Sequence, residues 1–323
     1  MSARRRIVLL VAGIAAVAVA VVGATALSSG GGSTTSTTAE PKARSGRPPL
    51  AFALGFRNDA EARDLAKGAA LYQRGDLEAA HALFAKHDSL EAKVGAAFAT
   101  WPDGSLDRLE QLAKLYPKSA VVQVHLGLAR FWANRGDPDA AWQAALDAEP
   151  DTPYAIVAGN LLHPNLPRGL PTFIPSFTAA PSVSRLPPAK QLAVLKRNAQ
   201  SGDLRALLLY GVGLQRVGRP VSAAAVFREA ARRNPRNADA LVAAAVGQFD
   251  KAQPEIAFGR LGPLTRTFPD EPTVRFHLGV LLLWTGRVKE AERQFRLASR
   301  EKPGSPLALE AGRYLATIRK AQG

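Results

Sequence analysis

The sequence has no cysteine among its 323 residues. That excludes disulfides, thiolate metal sites, cysteine nucleophiles and a lipidated cysteine behind the leader. Packing must therefore hold the fold, while the compartment stays open, because exported proteins can also do without disulfides. The short patterns that carry chemistry are missing as well. There is no G-x-S-x-G elbow and no glycine-rich phosphate loop ending in Lys-Ser or Lys-Thr. The histidines His81, His87, His125, His163 and His277 include no pair spaced to share a helix face with a carboxylate. Each reads as a surface or partly buried side chain rather than a metal ligand. Asp103, Asp107 and Glu110 gather at a helix start, where they suit the helix dipole without any catalytic role. No catalytic residue, metal or cofactor is implied, and the expectation is a protein that is not an enzyme.

What is present is a foldable composition with an uneven charge. Hydrophobic residues make up 47% and charged residues 21%, so most of the chain can bury a core. The net charge of +15 is concentrated at the two ends of the chain. Residues 1–60 carry seven basic and two acidic side chains, residues 61–203 fifteen of each, and residues 204–323 twenty and ten.

Arg4, Arg5 and Arg6 precede 21 uncharged residues, Ile7 to Leu27. A helix of ~20 apolar residues crosses about 30 Å of hydrocarbon, whereas cleavable leaders carry apolar runs of only ~7 to 15. Length favours a transmembrane anchor at residues 1–27. The small-x-small pattern Ala24-Thr25-Ala26 keeps a cleaved signal peptide, and so a secreted protein, as the alternative. In both cases the arginines favour a cytoplasmic start and an extracytoplasmic remainder. Residues 28–58, rich in Gly, Ser and Thr and then in scattered Pro and Arg, read as a flexible linker.

The strongest signal is periodic. Pro235, Pro269 and Pro303 recur every 34 residues, each after a helix-period run. Gly211, Leu214, Gly218, Ala223, Phe227, Ala230 and Pro235 return as Gly279, Leu282, Gly286, Ala291, Phe295, Ala298 and Pro303. Between them a degenerate copy keeps Ala257 and Pro269, with Leu261 in the phenylalanine column. Upstream, Gly68, Leu71, Gly75, Ala80 and Phe84 repeat the same gaps. The columns describe a helical hairpin. Gly211 and Ala223 allow a close crossing, Gly218 makes the turn, Phe227 fills the space between hairpins and Pro235 stops the second helix. One hairpin cannot bury its apolar face alone, so neighbours must stack.

This pattern resembles the tetratricopeptide repeat. The resemblance implies an all-α fold, a right-handed α-solenoid of stacked antiparallel hairpins whose first helices line a concave groove and whose second helices form an outer ridge. It implies a protein-protein interaction scaffold or assembly factor. Richness in Ala, Arg, Gly and Pro points to a GC-rich bacterial genome, and with the leader to a bacterial cell envelope. Residues 204–323 hold three repeats and a C-terminal capping helix. Residues 59–203 hold looser hairpins. These include a helix capped by Asp88-Ser89-Leu90-Glu91, one capped by Ser119, and a proline-rich insertion at 164–188 that separates the helix after Thr152 from its partner at 189–200.

On the implied geometry, Val212, Val242, Val246, Phe249, Phe276 and Val280 face the groove, or alternatively pack between repeats. The Lys, Arg and Asn set with which some members grip a terminal carboxylate is missing, so the expected guest is an apolar helix or extended segment. Phe173, Ile174 and Phe177 stand among the seven prolines of the insertion. They are expected either to lie across the first helices or to form an ordered surface loop. Arg228, Arg232, Arg266, Arg296 and Arg300 recur on second helices as a basic ridge, either a solvated face or a site for anionic lipid or envelope polymer. Expected partners are proteins, with the membrane met through the N-terminal helix. Nucleic acid fits poorly, since no aromatic residues interleave with these arginines.

Overall fold

A computed structural model describes residues 44–322, so the anchor expected at 1–27 and the linker up to residue 43 lie outside the described residues. Among the described residues there are sixteen helices and no strand, the all-α, α-solenoid architecture that the resemblance implies. None of these helices is long and apolar enough to cross a membrane.

The chain divides into two units. The N-terminal unit, residues 44–150 with 157–162, stacks three hairpins: α1 (Ala60–Arg74) with α2 (Leu77–Phe84), α3 (Leu90–Ala99) with α4 (Ser105–Leu115), and α5 (Ala120–Ala133) with α6 (Pro138–Ala148). Helix α7 (Pro153–Leu162) is shared between the two units. The C-terminal unit, residues 151–156 with 163–322, begins with the proline-rich segment, the short α8 (Pro181–Ser184) and α9 (Pro188–Ala199). It continues with the pairs α10 (Leu204–Arg216) and α11 (Pro220–Arg233), α12 (Ala238–Val246) and α13 (Glu255–Thr267), α14 (Pro272–Trp284) and α15 (Val288–Arg300), and ends on α16 (Pro306–Gln322). Helix α9, expected to complete the interrupted repeat, packs along α10, and α16 covers both α14 and α15.

Local sequence sets the helix starts. Asp59, Asp76, Asp137, Asp203 and Asn237 each accept the backbone N–H three residues on, and proline opens α6, α9, α11 and α14. Two expected caps differ. At α3 the cap is Ser89, one residue beyond the Asp88 that opens the expected box, and its Oγ accepts from Ala92 N at 3.2 Å. At α5, Ser119 occupies the cap position without a side-chain bond, and Glu149 from beyond the end of α6 accepts the Ala120 N–H instead, at 2.6 Å.

Four of the hairpins, α1/α2, α5/α6, α10/α11 and α14/α15, close on an aromatic ring set into a gap left by glycine. A Cβ added to Gly68 would lie 2.6 Å from the Phe84 ring, and one on Gly279 2.8 Å from Phe295; Gly211 meets Phe227 in the same way. The crossing partner of Gly211 is therefore the Phe227 ring, one turn beyond the Ala223 expected from the repeat columns. Phe84, Phe227 and Phe295 are fully buried, and Gly247 of the next hairpin also touches Phe227, so one ring joins neighbouring hairpins. In α5 and α6, where the repeat spacing slips, Gly127 makes room for Trp142, which donates from Nε1 to the Val124 carbonyl at 3.2 Å. The turns need left-handed backbone at Gly75, Gly218 and Gly286, with φ of 95°, 69° and 77°.

Truncating Phe227 to alanine should cost about 3–5 kcal/mol of stability, read as a lower urea midpoint at unchanged helix content. A loss below about 1 kcal/mol would show that the ring does not support the seam.

Candidate functional site

The six residues expected along the groove sit on α10, on α12 and the turn after it, and on α14. Val242, Val246, Phe249, Phe276 and Val280 are buried, and Val212 is half-buried. None of these six offers an open apolar surface, in keeping with the alternative that they pack between repeats. All six belong to one apolar cluster with Phe173 of the proline-rich segment, which is 1% exposed; Leu170, Ile174 and Phe177 pack against the same cluster.

The segment is held as an extended strap across three first helices. Phe173 N donates to Gln215 Oε1 on α10 at 3.1 Å, and Ile174 N donates to His277 Nε2 on α14 at 2.9 Å. Ser176 Oγ donates to Asp239 Oδ2 on α12. The Phe173 ring stacks on His277 at 5.0 Å and meets Phe227 edge-on at 5.6 Å, while the Arg205 guanidinium lies 4.5 Å over Phe177. Where the strap begins, the buried Lys251 donates from Nζ to the Pro167 carbonyl at 2.7 Å, and its pKa is pushed down to about 7, first by burial and then by the nearby Arg168 charge.

The N-terminal unit repeats the arrangement with residues expected to belong to a flexible linker. Residues 47–54 are ordered and mostly half-buried. Tyr72 Oη donates to the Pro48 carbonyl at 2.7 Å, Trp101 Nε1 to the Gly46 carbonyl at 3.2 Å, and Arg44 N to the Trp132 carbonyl at 2.8 Å. Ala51 N donates to His125 Nε2 at 3.1 Å, and Phe52 lies against both His125 and Phe84.

His125 and His277, expected at or near the surface, are thus fully buried and do the same job. Each Nδ1 faces the carbonyl one helical turn back, Val121 at 2.6 Å and Thr273 at 2.7 Å, so Nδ1 carries the proton and Nε2 is left as an acceptor for the strap. Sequence reasoning missed both residues. The signal was available as Val122-x-x-His125-Leu126-Gly127 and Val274-x-x-His277-Leu278-Gly279, but one copy lies in the unit whose spacing slips.

Of the five arginines expected to form a basic ridge, two are ion-paired. Arg232 pairs with Glu229 at 2.8 Å and Arg296 with Glu292 at 2.7 Å, whereas Arg228, Arg266 and Arg300 are exposed. His87 pairs with Asp64 at 2.9 Å, and among the described residues no group of histidines and carboxylates is arranged to hold a metal.

Stacked antiparallel hairpins with an extended segment of the same chain seated on their first helices define a helical-repeat protein. The family model described as tetratricopeptide repeat matches residues 240–306, from α12 to the start of α16. No curated protein matches the sequence. Solved structures similar to this chain include a thermophilic tetratricopeptide-repeat protein of Thermus thermophilus, 18% identical, over 80% of this chain and 100% of that one, with a TM-score of 0.27. They also include human IFIT1 dimer with PPP-AAAA, 17% identical over 83% and 66% of the two chains with a TM-score of 0.33, and yeast Tom70, 12% identical over 85% and 67% with a TM-score of 0.32.

Burial holds both strap histidines at a pKa of about 4, against an ordinary value of 6.5, the bond to the backbone carbonyl opposing it only in part. Between those values the unfolded chain takes up protons that the folded chain refuses. The stability gained from the neutral rings is therefore complete above pH 6.5 and is lost as pH falls towards 4, on the order of 3 kcal/mol per histidine. Melting temperature should fall over that window, and a His277→Phe variant should start lower at pH 7 but fall less steeply. An equally steep fall in the variant would remove His277 as the cause.

Proposed function

We propose that this protein is a non-enzymatic interaction scaffold, tethered to a membrane through residues 1–27, whose helical repeats hold a partner protein outside the cytoplasm. The observation that carries the reading is the seating of an extended segment on α10, α12 and α14 through main-chain amides and apolar side chains together. A surface that binds a chain in this way is built for polypeptide rather than for a small substrate. The uncharged run from Ile7 to Leu27 behind three arginines supports the tether and its orientation. The absence of a nucleophile-base pairing pattern in the sequence agrees with a role in assembly rather than catalysis.

A second reading has one observation in its favour. Arg228, Arg266 and Arg300 remain exposed with no acidic partner within ion-pair distance among the described residues, leaving charge for anionic lipid heads or an acidic envelope polymer. It ranks second because Glu229 and Glu292 neutralise the other two arginines of that ridge.

The two readings separate by position and by salt. A photoreactive residue at Thr172, exposed on the strap, and another at Arg266 should be compared in cells. The scaffold reading expects a discrete protein adduct from Thr172, and a purified pair whose affinity changes little between about 0.1 and 1 M salt. Adducts confined to Arg266 and lost steeply with salt would replace it with the polyanion reading, and no adduct from either position would dismiss both.

A further inference from the structure

The same small constellation occurs twice, once in each unit. A buried, neutral imidazole is locked by a carbonyl of its own helix and turns Nε2 towards the amide of an extended segment, with a phenylalanine of that segment against the ring. The two straps have little sequence in common beyond the phenylalanine and proline two or three residues away from it. The amide that is read precedes the phenylalanine in one strap, at Ala51, and follows it in the other, at Ile174. Recognition thus falls on an extended main chain and one aromatic ring, which makes it transferable to another segment with those features.

The C-terminal strap enters the core through one side chain above all. Phe173 is its one deeply inserted side chain among Leu170, Phe173, Ile174 and Phe177, the stretch that follows it is largely exposed, and the only helix there is four residues long. The gaps left by Gly211 and Gly279 are filled by the hairpins' own rings, Phe227 and Phe295, rather than by the strap.

We propose that α10, α12 and α14 form a peptide site whose ligand class is displayed by the strap now occupying it: an extended partner segment with proline close to a phenylalanine, one of its amides read by His277. This rests on the scaffold reading and names what such a partner presents. The strap is an intramolecular competitor. Being attached, it acts at an effective concentration of order millimolar, so a free segment of equal intrinsic affinity is masked until the strap is loosened.

The test uses the full chain and a labelled peptide of residues 168–179 as probe. Phe173→Ala, and separately replacement of residues 170–177 by glycine and serine, should each bind the peptide at least about tenfold more tightly than the unaltered chain. N-methylating the peptide at its Ile174 position removes the amide that His277 accepts and should weaken binding about tenfold, whereas N-methylation at its Thr172 position should leave binding within about twofold. Folded variants that bind no better than the unaltered chain, or equal affinity for the Ile174-methylated peptide, overturn the proposal. So does failure of both variants to fold, since the strap would then be an inseparable part of the core. Crosslinking from Thr172 and Arg266 decides the scaffold reading independently, so each can fail while the other stands.

Discussion

The structure depends on one steric fit, an aromatic ring of the second helix set where the first helix carries only hydrogen. Phe84 under Gly68, Phe227 under Gly211 and Phe295 under Gly279 bring each pair of helices into close crossing and leave the ring buried on every side. Phe84 and Phe227 also touch glycines of the following hairpin, Gly95 and Gly247, so the contact that closes a hairpin also stacks it. Where the spacing slips, Trp142 restores the fit under Gly127 and its ring N–H finds the Val124 carbonyl, satisfying the polar group that a larger aromatic brings into the core.

Stacking in this way leaves an apolar face on the first helices, and the protein covers that face with its own chain. Proline-containing segments suit the task because they lose little conformational entropy on being held extended and offer few amides that need partners. The amides that do point inward meet Gln215, His277 and His125. A buried imidazole serves well here, since one nitrogen can be tied to its own helix while the other waits for the strap. Its cost is a dependence on remaining neutral, which follows from putting a titratable group where water does not reach. Lys251 extends the same logic to the entry of the strap, where it donates to the Pro167 carbonyl and its burial disfavours the charged form.

Much of the fold was legible in the chain itself. A period of 34 residues, glycine and phenylalanine at fixed offsets, and proline after each second helix are local and additive signals, which survive being read one residue at a time. The proline-rich insertion was visible as such, and Phe173, Ile174 and Phe177 stood out among its prolines. Less legible were contacts between residues far apart in sequence. Asp151 receives the Ser222 N–H at 2.9 Å and Arg219 Nε at 2.7 Å, serving the start of a helix some seventy residues later, and no local pattern announces it. Residues 47–54 read as linker because Arg, Pro, Leu and Ala carry no periodicity, yet they are ordered by a surface they do not encode.

The sequence by itself determined the repeating unit, its helices and the rings that join them, because those depend on side-chain size and backbone freedom within a few turns. Only the tertiary structure decided that, in each unit, first helices are covered by an extended segment of the chain and that His125 and His277 each accept an amide of the segment in their own unit. Their role arises from an acceptor and an amide meeting across 74 and 103 residues of chain. Burial of that kind is a property of the assembled hairpins and not of any segment.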